Sequence, residues 1–178
     1  MKSTLFNTIL GCLAALSLAG CGNSSKGEGH SSSSSVPGLL NSGSTSVTLQ
    51  GTMGNTYLYT IRLERTGDCL ISTMGDVDTF MGAWQDFKGS WKDMTDSPNS
   101  FKIQFIGPFE AVESTPPAVR ITTVDTVELR LPEGALENYR SDNAVTGASF
   151  NVSPFTFISH SGDEDTANKD AITVTPEP

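Results

Sequence analysis

The chain has 178 residues, 37% of them hydrophobic, with 20 acidic against 11 basic side chains and a formal net charge of −9. Nucleic-acid binding needs clustered Lys and Arg to displace counterions from phosphate, and the bases here are scattered singly, so that partner is excluded. The same charge argues against electrostatic docking on anionic lipid.

A lone basic residue, Lys2, precedes an apolar run from Leu5 to Gly20 that ends in Leu18-Ala19-Gly20-Cys21. A transmembrane helix needs roughly 20 apolar residues. This run is shorter and is diluted by Asn7, Gly11 and Ser17, so a cleaved secretory signal over residues 1–20 is expected. Ser17-Leu18-Ala19 also reads as an ordinary signal-peptidase site, but the adjacent Cys21 favours a cut at the thiol. Leu18-Ala19-Gly20-Cys21 resembles the lipobox of bacterial lipoprotein precursors. The resemblance implies diacylglycerol on Cys21, cleavage just before it and acylation of the new amino group. It also implies outer-membrane delivery, since Gly22 stands where an inner-membrane retention signal would place Asp. A single acyl chain binds a bilayer marginally, at about 0.8 kcal/mol per buried methylene, whereas two or three hold it firmly.

Cys12 leaves with the signal and Cys21 carries lipid, so Cys69 stands alone and no intramolecular disulfide forms. With Leu70 and Ile71 beside it, Cys69 reads as a small buried apolar residue on a strand. From Cys21 to Gly43, including the run Ser31 to Ser35, the Gly/Ser-rich sequence predicts a flexible tether with an end-to-end distance of about 5–6 Å times the square root of its length. His30 lies within it, solvated. A single domain is expected over 44–178, and Ser44 to Val174 is long enough to bury more than about 60% of its unfolded surface.

The domain opens with alternating strands over Thr45 to Gln50, Thr56 to Glu64 and Cys69 to Met74, joined by short turns as an antiparallel meander. Then the period changes. Val77, Phe80, Trp84, Phe87, Trp91 and Met94 recur at intervals of three and four, the stripe of an amphipathic helix, with Asp76 or Asp78 to cap it and Asp96-Ser97-Pro98 to end it. A seven-residue repeat, Gly82-Ala83-Trp84 and Gly89-Ser90-Trp91, spans two helical turns. Its glycines dissent, each costing about 1 kcal/mol in a helix interior. Strands resume at Phe101 to Ile106, Val119 to Thr123, Val127 to Leu131, Ser149 to Ser153, Phe155 to Ser159 and Ala171 to Thr175, with one helical turn near Pro132 to Tyr139. Pro154 favours an edge or bulge. The expected class is α+β, an antiparallel sheet with one long amphipathic helix packed on a face; an all-β sandwich is the alternative.

Chemistry-bearing sets are few. His160 lies between Ser159 and Ser161, and adjacent residues of an extended chain point to opposite faces, so neither serine meets its ring. There is no Gly-x-Ser-x-Gly elbow, and one Cys with one distant His makes no zinc site. Asp163, Asp165 and Asp170 form an acidic run that calcium would fill if the loop were suited, but an EF-hand alignment places Ala167, Asn168 and Val174 where ligands or a glycine belong. Phe80, Trp84, Phe87 and Trp91 offer an apolar or sugar-stacking surface, though core packing uses the same spacing. The expectation is a membrane-tethered envelope lipoprotein without a cofactor, acting as a non-catalytic structural or protein-interaction module with an envelope protein as partner. A binding module using the aromatic stripe and a carboxylate-based hydrolase are the rivals.

Overall fold

The structure, a computed structural model, describes residues 37–54, 57–74, 84–113 and 119–178. The signal segment, Cys21, most of the tether, Asp76, Asp78, Val77 and Phe80 lie outside the described residues. The strands are β1 (Ser46–Met53), β2 (Tyr57–Glu64), β3 (Asp68–Met74), β4 (Trp84–Asp93), β5 (Ser100–Ala111), β6 (Val119–Thr123), β7 (Thr126–Arg130), β8 (Val145–Phe150), β9 (Phe155–Ser159), β10 (Glu164–Thr166) and β11 (Ile172–Glu177). One short helix, α1 (Ala135–Arg140), precedes β8.

Eight strands close into a barrel in the order β1-β11-β8-β7-β5-β4-β3-β2. With β6, β9 and β10 set aside, this ring order is chain order, and every neighbouring pair is antiparallel. The fold is therefore an up-and-down barrel, which leaves no open edge in its main sheet. The remaining strands form a three-stranded sheet, β10-β9-β6.

The expected α+β class is overturned: the fold is all-β, the class of the alternative reading, and among the described residues no long helix packs on the sheet. Residues 84–93 of the expected helix are strand β4, laddered to β3 on one side and β5 on the other. The reason lies in the spacing. Seven residues make two helical turns but an odd number of strand steps, so Trp84 and Trp91 fall on opposite faces of β4. Phe87 and Trp91, four apart, share the inner face, while Lys88, Ser90 and Lys92 point outward.

Gly89, unfavourable in a helix, has a purpose in the strand. Between Ser90↔Ile106 and Lys88↔Glu110, β5 takes four steps against two of β4. This bulge drops the Phe109 ring over Gly89, where a Cβ would collide with it. Bulges re-aim side chains in this way.

The core follows from period-2 alternation. Val174, Leu49, Ile61, Ile71 and Phe87 run in register across five strands, each no more than 2% exposed. Gln50, Arg62, Lys88, Lys92 and Arg130 face solvent. That pattern is inverted relative to a membrane-spanning barrel, which turns apolar side chains outward. Among the described residues no helix is long and apolar enough to cross a membrane.

Both ends are stopped. At the end where β1 begins, Leu39 is fully buried, although it lies in the stretch whose composition reads as tether. Its N–H donates to the Asp93 carboxylate at 2.7 Å, and its carbonyl accepts from the Tyr139 hydroxyl of α1. Arg65 donates to the Ser44 carbonyl at 2.9 Å. At the other end the small sheet caps the barrel. Phe155 meets Phe105 and Phe109 edge-on with centroids 4.9 and 5.4 Å apart, and Phe157 lies 6.2 Å from Tyr59. Backbone bonds from Gly54 to Thr166 and from Asn168 to Thr52 continue this cap onto β1.

Candidate functional site

The aromatic residues singled out by helical spacing are not brought together. Trp84 is 42% exposed on the outer wall, whereas Phe87 and Trp91 are 2% and 6% exposed in the core. The Trp91 indole N–H donates to the Glu64 carbonyl at 2.8 Å, so its polar edge is satisfied internally. Phe80 lies outside the described residues.

The acidic residues fare differently. Asp163 and Asp165 share a notch at the capped end, whereas the Asp170 N–H bonds to Asn168 Oδ1 at 2.9 Å in a separate turn. Among the described residues no group of three His, Cys, Asp or Glu is placed to hold a metal ion. His160 is exposed on the β9–β10 turn. The serines beside it bond to each other at 2.8 Å, and Ser161 donates to Asp163 at 2.6 Å. Cys69 is buried, and that burial pushes its thiol well above its ordinary range, so the thiol carries no nucleophilic thiolate.

The notch has a volume of about 70 Å³ and lies between β1 and β2 on one side and the cap sheet on the other. Met53, Tyr57, Val119 and Phe157 form its apolar part; Ser159, Ser161, Asp163 and Asp165 form its polar rim. Alternation places these side chains. Met53 is the last inward residue of β1, Val119 and Phe157 face inward from paired strands β6 and β9, and Asp165 sits opposite Phe157 on β10. The hairpin geometry holds the rim, since the Asp163 N–H donates to Ser159 Oγ at 3.0 Å. The Asp165 carboxylate lies against Gly54, where no side chain competes for the space. Sequence reasoning found the two aspartates but not the rest, because Met53, Tyr57, Val119 and Phe157 come from four strands and leave no local signature.

A second concavity, a groove of about 350 Å³, runs along the outer wall past Asp96, Ser100, Lys102, Glu128 and Asn151. Its charges are already paired: Lys102 with Asp96 at 3.3 Å and Glu128 with Arg130 at 2.9 Å. The hydrogen bond from Arg130, with another from Ser100, holds the Glu128 carboxyl below its ordinary range. Nothing there is left over for a ligand to neutralise.

No protein-family model matches this chain, and no curated protein or solved structure is significantly similar to it.

Proposed function

We propose that the chain is an envelope lipoprotein, held to the outer membrane by acyl chains on Cys21, whose barrel serves as a non-catalytic structural or protein-interaction module. The anchor rests on the resemblance of Leu18-Ala19-Gly20-Cys21 to a lipobox. The module reading rests on one observation: the barrel interior is occupied by its own side chains and stopped at both ends, by Leu39 and Tyr139 below and by Phe155 and Phe157 above. A barrel of eight strands is just wide enough either to be filled in this way or to hold one small ligand. Here the side chains take the space in which a substrate would react. What such a domain offers a partner is its outer surface.

Mass spectrometry of the protein isolated from its own cells tests the anchor: the amino-terminal peptide should begin at Cys21 and carry the added mass of acyl chains. Crosslinking in intact cells followed by purification tests the module, with one stoichiometric envelope protein expected. An unmodified Cys21 overturns the first part, and turnover of an envelope polymer by the purified chain overturns the second.

A further inference from the structure

We propose that the notch between β2 and the cap sheet is a binding site for a primary alkylammonium group, the chemistry presented by a lysine side chain of a protein partner. Its two halves match the two halves of that group. Met53, Tyr57, Val119 and Phe157 offer apolar and aromatic surface for methylenes, and Asp163 and Asp165 offer carboxylates at the rim for the charge. Aromatic rings add attraction for a cation seated over their faces.

The space is small, about 70 Å³, which suits the ammonium head of a chain and its adjoining carbons. The lining rejects other classes. Carboxylates repel an anion. Calcium takes six to eight oxygen ligands, whereas this lining holds two carboxylates, and among the described residues no group of three acidic, His or Cys side chains is placed to hold a metal ion. A purely apolar ligand would leave Asp163 and Asp165 unused. These carboxylates are also pre-positioned: Ser161 Oγ donates to Asp163 at 2.6 Å, and β10 fixes Asp165 opposite Phe157. Little ordering is then needed on binding. The chain's net charge of −9 steers basic partners toward it.

The inference rests on the reading of the barrel as an interaction module and names the group through which a partner is gripped. Its test needs neither the anchor nor the partner. The full chain as isolated from its own cells, kept in detergent and with labelled Met and Val methyl groups, is titrated with n-butylammonium and with Nα-acetyl-lysine amide. Both should shift the Met53 and Val119 methyl signals saturably in the millimolar range, and 1-butanol should not. The Asp163→Asn, Asp165→Asn double variant should weaken binding about tenfold or more, with an unchanged Val47 methyl signal showing that it is folded. Equal shifts from 1-butanol, a response to calcium alone, or no shift at all would overturn the site. Binding of the small amine without the blocked lysine would overturn the assignment to a protein side chain. A bare Cys21 would leave these results standing, just as an unresponsive notch would leave the anchor standing.

Discussion

The Tyr139 hydroxyl donates to the main-chain carbonyl of Leu39, joining residues 100 positions apart at the floor of the barrel. Around this bond, Asn41 donates to the Tyr139 carbonyl at 2.9 Å and Ser44 to Asp142 at 3.2 Å. The segment that leads into β1 is thus part of the packed domain. Leu39→Ala should cost about 2–5 kcal/mol through transfer and cavity terms. Tyr139→Phe, which orphans a buried carbonyl, should cost about 1–3 kcal/mol. Urea unfolding midpoints measure both, and a loss of less than about 0.5 kcal/mol for Leu39→Ala would refute the plug.

Gly89 and Phe109 form the second dependency. A methyl at residue 89 has to displace a ring that also packs on Phe155. Gly89→Ala should therefore destabilise by about 1–3 kcal/mol. In a Phe109→Leu background the same change should cost less, because the smaller side chain yields space. The double-mutant cycle reads the coupling directly. Additive losses would mean that ring and backbone are independent.

Most of the strands were legible in the sequence, whereas the fold class was not, because the features that decide it are non-local. The first three strands, and those at 101, 119, 127, 155 and 171, follow from alternation that each segment carries by itself. Residues 84–93 satisfy both periods, since Phe87 and Trp91 are four apart and suit either a helix face or a strand face. What decides between them is the ladder to β3 and β5, which no local pattern reveals. Ring closure between β1 and β11 spans almost the whole domain, and β6 and β7 join different sheets despite being consecutive. At the notch, Asp163 and Asp165 were visible as charges. Their apolar companions became a site only when β9 brought Phe157 and Val119 together.

The two tryptophans report the strand parity of β4. Trp91→Phe leaves Trp84, which is 42% exposed and should emit at long wavelength with efficient acrylamide quenching. Trp84→Phe leaves Trp91, only 6% exposed, which should emit at shorter wavelength and resist the quencher. On a helical stripe the two would behave alike. Equal quenching constants would thus contradict the alternation of β4.

Cys69 gives a measure of opening. Its thiol is buried beside Leu63 and Gly89 in the ladder, and burial raises its proton affinity. A disulfide reagent at neutral pH should leave it unmodified in the native protein and modify it fully in denaturant. The native rate then reports the population of the opened barrel. Rapid native labelling would show that the β2–β3–β4 wall opens without global unfolding.

Stability should fall at both ends of the pH scale, with identifiable groups on each limb. Glu177 accepts from Thr48 at 2.7 Å and Ser46 at 3.1 Å, with Arg62 at 3.5 Å, so its folded carboxyl titrates below the ordinary 4.5. The stabilisation is complete above that value. It is lost as pH falls, because the unfolded chain takes up its proton first. Tyr59 and Tyr139 are shifted the other way. Burial raises both above the ordinary 10.0, and for Tyr139 the neighbouring Asp93 and Asp142 add to the effect. Their contribution is complete below pH 10 and falls as the unfolded tyrosines ionise, by about 1.4 kcal/mol per pH unit for each. Glu177→Gln should flatten the acid limb without touching the alkaline one. Tyr139→Phe should reduce the alkaline slope by about one proton's worth. Unfolding free energies measured from pH 3 to 11.5 check both, and an alkaline slope unchanged in Tyr139→Phe would show that this hydroxyl is already solvated in the native state.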